Sequence, residues 1–438
     1  MKIHLKTYGC SQNIADSETM MGILNESGHI FVDLEDADLI IENTCTVKGP
    51  TESKFFTRLK RLKEYGKPII ICGCIAQTAK DRLKEFSTVG PDNIAAIAEV
   101  VEETKNGRIM HLTERLDNKR LCLPKIRVNP YIEIIPISKG CLGECTYCKV
   151  RSARGRLHSY EPEAIIRRAK EAAKDGVKEI WLTSQDNGAY GLDMGTDLPS
   201  LLQEIIKIPG DHMIRIGMAN PQFVHRYLNR LIDIFKSERV YRFIHMPIQS
   251  GSDNVLKVMK RPYTAAMCRE IVKRLRTEIP DISISTDIIV AFPGETKKDL
   301  DATLRFIEET ELDVLNLSRY WARPGTEAAK MKQIDGKTPK SRSLMVLELF
   351  EKVGKKRNDT WVGWEGPIIV TESCKNGTYT GRNYSYKPII IKSDLPLVGE
   401  KIEVTITAAT HHDLRAEIIN QKLYKPITST SLRWNKGR

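Results

Sequence analysis

Six times between residues 127 and 357 a short β-rich run is followed by room for a helix, and this alternation restricts the fold more than any other feature of the chain. Strands are predicted at 131–137, 179–183, 213–218, 242–247, 283–290 and 314–320, and helical patterns at 163–173, 223–235, 267–278 and 299–309. Strands separated by crossover helices pair in parallel, with the helices covering the sheet. Six βα units therefore fit a (βα)6-type partial barrel, whose active-site loops belong at the carboxyl ends of the strands. A doubly wound open sheet fits the same periodicity.

The flanking segments differ in character, and the fold class expected is α/β throughout. Residues 1–112 read as a smaller parallel α/β domain. It has strands near 3–8, 37–42 and 68–72, a helix from Asp16 carrying Met20, Ile23 and Leu24, and a helix at 52–65 with Phe55, Leu59 and Leu62 on one face. The central unit spans 127–357. Residues 359–421 hold short β-runs near 367–372, 378–381, 388–391, 401–407 and 416–419, broken by Asn376-Gly377, Gly381 and Gly399; they predict a small antiparallel β-barrel. A basic tail, 422–438, carries Tyr424, Trp434, Lys436 and Arg438.

Lys and Arg number 68 against 56 Asp and Glu, a formal net charge of +12, which favours an anionic partner such as nucleic acid. No apolar stretch reaches the ~20 residues of a membrane span, and Met1–Lys6 has no apolar core of a secretory signal. The expectation is a cytoplasmic protein without a membrane anchor. In that reducing compartment the ten cysteines serve as ligands, catalytic groups or buried thiols rather than disulfides.

Three of those cysteines, Cys141, Cys145 and Cys148, form a C-x3-C-x2-C run directly after the first barrel strand. Thiolates are natural ligands for an iron–sulfur cluster, and three local ones leave an iron with an open position, the mark of a catalytic metal site. A zinc knuckle is the competing use of such a run. Cys10, Cys45 and Cys74 each follow one of the N-terminal strands. If those strands are parallel, the three converge on the sheet edge where ligands usually bind. Cys72 neighbours Cys74, and strand alternation alone leaves both open as the third member. Cys122, Cys268 and Cys374 have no partners at ligand spacing.

The C-x3-C-x2-C run, with Tyr147 before its last cysteine, resembles the radical S-adenosylmethionine superfamily. The resemblance implies that the open iron binds the methionyl amino and carboxylate groups and that reduction yields a 5′-deoxyadenosyl radical. Thr7-Tyr8-Gly9-Cys10-Ser11-Gln12-Asn13, Asn43-Thr44-Cys45 and Gly73-Cys74-Ile75-Ala76-Gln77 are similar to the N-terminal domain of the methylthiotransferases. There the matching cysteines, Cys74 rather than Cys72, hold an auxiliary 4Fe–4S cluster. The likeness runs on through Arg154-Gly155, Gln185-Asp186, Tyr190-Gly191, His245–Ser252, Asp287, Phe292–Thr296 and Arg323–Thr326, and the C-terminal barrel resembles the RNA-binding TRAM domain. It implies two 4Fe–4S clusters, S-adenosylmethionine as both radical source and methyl donor, a tRNA substrate, an electron donor and a monomer. Tyr147, Ser184, Gln185, Gln249, Ser250 and Asp287 are the candidate cofactor contacts.

Family substrates include isopentenylated adenosine, threonylcarbamoyladenosine and an aspartate of a ribosomal protein. Residues 317–326 and 381–388 are most similar to the archaeal and eukaryotic branch acting on threonylcarbamoyladenosine in tRNA, and the archaeal form, without a trailing anchor, fits best. The mixture Gly381-Arg382-Asn383-Tyr384-Ser385-Tyr386 suits RNA contact through charge and base stacking. An RNA-binding redox sensor with structural clusters is the alternative of a different class.

Overall fold

The computed structural model describes residues 1–46, 49–116 and 120–419, so the basic tail 422–438 lies outside the described residues. The N-terminal sheet contains β1 (Lys2–Thr7), β2 (Ile30–Phe31), β3 (Leu39–Thr44), β4 (Ile69–Gly73), β5 (Ser87–Val89) and β6 (His111–Leu112), all parallel in the order β2-β1-β3-β4-β5-β6. Its helices are α1 (Ser11–Glu26), α2 (Gly49–Lys63), α3 (Cys74–Thr78) and α4 (Ile97–Lys105). Every residue of β3 and β4 is buried, as expected of strands covered on both faces. Helix α1 starts five residues before the apolar periodicity does. Its first turns carry Gln12, Asn13 and Asp16, polar yet buried, so hydropathy could not mark them as helix.

In the centre stand β7 (Ile132–Pro136), the short pair β8 (Ser138–Lys139) and β9 (His158–Ser159), then β10 (Glu179–Thr183), β11 (Met213–Ile216), β12 (Phe243–His245), β13 (Ser283–Val290) and β14 (Val314–Arg319). Strands β7, β10 and β11 pair in parallel, as do β12, β13 and β14, and an Ile214–Val240 bridge joins the two sets. The spatial order follows the chain order with no reversal. A doubly wound sheet reverses at its switch point, so the unit is a partial barrel.

The helices here are α5 (Val150–Arg154), α6 (Pro162–Lys174), α7 (Leu198–Ile206), α8 (Pro221–Arg226), α9 (Leu228–Phe235), α10 (Asp253–Val258), α11 (Ala265–Glu278), α12 (Lys297–Thr310) and α13 (Thr338–Asp359). The single helix predicted at 223–235 is two, broken at Tyr227 (φ −111, ψ 12). Helix α12 opens with a capping box in which Thr296 and Asp299 satisfy each other's backbone N–H groups.

The C-terminal unit is a closed five-stranded barrel of β15 (Glu365–Ser373), β16 (Thr378–Arg382), β17 (Pro388–Lys392), β18 (Lys401–Ala409) and β19 (Leu414–Ile418). Its core is Ile368, Val370, Ile389, Ile391, Val404 and Ile406. The loop between β16 and β17, expected to offer aromatic and basic groups to RNA, is instead turned into the protein. Asn383, Ser385, Tyr386 and Lys387 are buried, and the Tyr386 ring lies 4.7 Å from Tyr241 and 4.9 Å from Phe243 at the amino end of the central barrel. Arg242 N donates to Tyr384 O (2.8 Å), Ser385 Oγ to Asp281 O (2.7 Å) and Lys387 Nζ to Asp313 (2.8 Å). The same rings that could stack on bases gain more by filling the barrel mouth.

Candidate active site

Strands β1, β3 and β4 end side by side; Cys45 and Cys74 follow β3 and β4 at once, and Cys10 comes three residues after the end of β1. Cys10 is exposed, Cys45 and Cys74 are buried. Gly9 (φ +101) lies so close to Cys45 that an added Cβ would sit 2.4 Å from its Cβ and 2.6 Å from its Sγ, so only glycine brings the Cys10 loop down onto Cys45. Asn13 ties the loops together. Its Nδ2 donates to Tyr8 O and Thr44 O (both 2.8 Å), and Cys74 Sγ is 4.0 Å from its Oδ1. Asn43 Nδ2 in turn donates to Asn13 O (2.9 Å).

The ambiguity over Cys72 is one of backbone geometry. Cys72 is fully buried inside β4 in the apolar cluster of Leu5, Ile41 and Val89, where burial drives its thiol far above the usual range. The strand ends at Gly73, whose left-handed φ of +84 breaks the alternation and releases Cys74 onto the sheet edge. Cys72 is thus held within the strand, whereas Cys74 stands beyond its end beside Asn13.

Cys141, Cys145 and Cys148 occupy the loop from β8 to α5 and are all partly exposed. Each sulfur has a donor: Gly143 N to Cys141 (3.2 Å), Val150 N to Cys148 (3.3 Å) and Arg261 Nη1 to Cys145 (3.1 Å). Burial and then the Asp186 carboxylate push the Cys141 thiol up to about 11, and burial and then Cys145 push the Cys148 thiol up to about 12. Such thiols keep their protons until a metal displaces them. Among the described residues no three His, Cys, Asp or Glu side chains are close enough to share one metal ion.

The Radical SAM superfamily model matches residues 135–307, the TRAM domain model 360–419, and the Uncharacterized protein family UPF0004 model 2–90. A Homo sapiens protein named threonylcarbamoyladenosine tRNA methylthiotransferase is 40% identical over 98% of this chain and 76% of its own length. The probable threonylcarbamoyladenosine tRNA methylthiotransferase of Methanothermobacter thermautotrophicus is 39% identical over 94% of this chain and 98% of its own. The chain belongs to the threonylcarbamoyladenosine tRNA methylthiotransferase family. Solved structures share its fold at low identity. The radical S-adenosylmethionine methyltransferase TsrM from Kitasatospora setae matches 75% of each chain (TM-score 0.54, 14% identity). The cobalamin-dependent radical enzyme OxsB matches 80% of this chain and 61% of its own (TM-score 0.53, 13% identity).

In this methylthiotransferase the remaining candidate residues divide by strand. Gln185 Oε1 accepts from Gly140 N (2.8 Å), fixing the turn that leads into Cys141, and Ser184 Oγ accepts from Asp186 N (3.1 Å). The Tyr147 ring packs edge-on against Phe292, centroids 6.1 Å apart. Asp287 and His245, on adjacent strands, pair at 3.0 Å; their buried neighbours Ile244, Thr286 and Ile288 face away, so the pair faces the barrel lumen. Gln249 (φ +76) binds the Asp287 strand through its backbone, N to O 2.8 Å. Ser250 Oγ is 3.2 Å from Thr303 Oγ1 of α12.

Asn220 and Arg261, which were not singled out from the sequence, join this site together with Asp186, which the family likeness named without a role. Asp186 is buried and raised to about 6 by that burial, and it accepts from Asn220 Nδ2 (2.6 Å). Asn220 Oδ1 accepts from Arg261, which reaches Cys145. Asp186, Asn220 and Arg261 come from three separate βα units, so no local pattern could join them. Across the domain boundary, Ser11 Oγ is 2.7 Å from Thr183 Oγ1, Arg323 Nη2 donates to Thr46 Oγ1 (2.8 Å), and Arg154 Nη2 donates to Asn13 Oδ1 and Asp16 Oδ2 (both 2.7 Å). Arg154 ends the helix that begins just after Cys148. At 1.5 Å per residue that path is about 9 Å, so the two cysteine sets are near neighbours.

Proposed function

We propose that this chain adds a methylthio group at carbon 2 of threonylcarbamoyladenosine next to the anticodon of tRNA. Cys141, Cys145 and Cys148 would hold one 4Fe–4S cluster, and Cys10, Cys45 and Cys74 a second. With S-adenosylmethionine bound, such a pair of groups supplies a hydrogen-abstracting 5′-deoxyadenosyl radical, a source of sulfur and a methyl donor. The observation that carries this reading is the contact of the two cysteine-bearing edges through Arg154, Ser11–Thr183 and Arg323–Thr46. One cofactor site alone would need no second triad a helix-length away.

The residues present fit the groups proposed. Backbone N–H groups at Gly143 and Val150 aim at two sulfurs and so favour their thiolate forms. Arg261 donates to the third sulfur and holds Asn220 against Asp186, fixing the loop on which the cluster would rest. Gln12, two residues after Cys10, is wholly buried with both amide atoms unpartnered among the described residues, which suits a missing polar group at the auxiliary site. Gln185 and Tyr147 position the Cys141 loop from either side, and the Asp287–His245 pair offers a fixed carboxylate to a polar part of S-adenosylmethionine. Reduction requires an external electron donor. The protein acts as a cytoplasmic monomer; no described helix is long and apolar enough to cross a membrane.

Anaerobic reconstitution with iron, sulfide, S-adenosylmethionine, reductant and unmodified or threonylcarbamoylated tRNA, followed by nucleoside mass spectrometry, tests the assignment. The 2-methylthio derivative of threonylcarbamoyladenosine is expected. Unaltered tRNA nucleosides with a mass gain on a ribosomal peptide, or methylthiolation only of isopentenylated adenosine, would overturn it.

A further inference from the structure

A buried charge stands unbalanced beside the first cysteine set. Arg120 and Arg154 are 5% and 3% exposed, and both pair with the single carboxylate of Asp16, itself 1% exposed. Two guanidinium groups against one carboxylate leave one net positive charge out of water, which costs several kcal/mol unless something offsets it. Arg154 uses Nη2 for Asn13 and Asp16, while its Nη1 is buried with no hydrogen-bond partner in the described structure. The Cys74 and Cys10 thiols are close enough to act on this guanidinium electrostatically, and Cys74 lies within its hydrogen-bonding reach. Gln12, two residues after Cys10, is wholly buried with both amide atoms unpartnered among the described residues.

We propose that Arg154 is a positioning residue for the auxiliary cluster, its free Nη1 donating to a sulfur of the group held by Cys10, Cys45 and Cys74. The inference rests on the reading that those three cysteines hold a 4Fe–4S cluster. Three thiolates around a dicationic cluster leave one negative charge, the complement of the unbalanced cation. A hydrogen bond and a positive charge at the sulfurs stabilise the reduced, more negative form of a cluster and so raise its potential. Arg154 also belongs to the central domain, on the helix that follows Cys148. The auxiliary site is thus electrostatically complete only when the two domains are docked. This ties the sulfur source to the presence of the radical site.

The test uses the full chain with Cys141, Cys145 and Cys148 all replaced by Ala, so that only the auxiliary cluster forms. Iron content and the midpoint potential, followed by electron paramagnetic resonance, are then compared for Arg154, Arg154→Lys and Arg154→Gln. The potential is expected to fall in Arg154→Gln and to recover largely in Arg154→Lys. Loss of iron in Arg154→Gln that Arg154→Lys restores supports the same role. An unchanged potential in iron-replete Arg154→Gln overturns the inference alone, as does equal iron loss in both variants, which would mark a purely structural residue. Failure of the Arg154 parent to take up iron at all overturns the cluster reading and this inference with it.

Discussion

Replacing Tyr386 by Ala tests whether the C-terminal barrel is fastened to the central one by an aromatic plug. The ring is packed against Tyr241 and Phe243 at 4.7 and 4.9 Å, with Trp181 edge-on at 6.5 Å and the Arg215 guanidinium 5.2 Å away. A tyrosine buries roughly 200 Å², worth about 5 kcal/mol at about 25 cal/mol per Å². Large-to-small changes of buried aromatics cost about 3–5 kcal/mol, so about 4 kcal/mol is expected here. The loss should fall on docking, because Tyr386 packs against the central barrel and stands apart from the C-terminal core. Urea unfolding under anaerobic conditions, paired with limited proteolysis between α13 and β15, reads it. The expected result is an earlier release of β15–β19, a new cleavage near residues 360–364 and weaker tRNA binding, with Tyr386→Phe close to wild type. A cost under about 1 kcal/mol with unchanged proteolysis would show that the ring is not the fastener.

Three further outcomes follow from the site. Gly9→Ala, at φ +101 and with its Cβ 2.4 Å from that of Cys45, should lose the iron of the auxiliary site while the iron of the Cys141 set remains, by iron assay and Mössbauer spectroscopy. Cys141→Ala should abolish deoxyadenosine release, whereas Cys10→Ala should retain uncoupled release and lose methylthiolation; equal loss of both in a folded Cys10→Ala chain counts against divided roles. His212 is buried beside Arg239 and its pKa is lowered to about 4, chiefly by burial, so the fold holds it neutral. The unfolded chain protonates it near 6.5. Stability from this group is therefore present above pH 6.5 and is lost as pH falls toward 4. His212→Gln should flatten the urea-midpoint profile across that window, and an unchanged profile would refute the assignment.

Much of this architecture was legible because its signals are local. Strands of β-branched residues such as 283–290 and 179–183 announce themselves at period or run length alone, and the structure places β13 and β10 on those residues. Strand order was not legible, since alternation is the same in an open sheet and a partial barrel; the parallel pairing of β12 to β14 and the Ile214–Val240 bridge decide it. The loop at 381–386 misled because composition reports what a side chain can do and not whether the inside of the protein claims it first. Arg261 and Asn220, and the partner of Arg154, were hidden for another reason. Each is a polar residue whose partner lies in a different unit, as with Arg154 and Asn13, 141 positions apart.

The separation of the two cysteine sets into different domains has a structural consequence. Each set is rigid within its own sheet edge: Asn13 and Asn43 lock the first, and the N–H donors at Gly143 and Val150 with Arg261 lock the second. Relative motion of the domains would change the distance between them, and transfer chemistry depends steeply on such distances. The boundary is accordingly held by buried polar contacts and not by an apolar face alone: Arg154 to Asn13 and Asp16, Arg323 to Thr46, and Ser11 to Thr183. Buried polar pairs add little net stability but are costly to mismatch, so they fix a single docked register. The gap between the triads is thereby set by the fold before any substrate arrives.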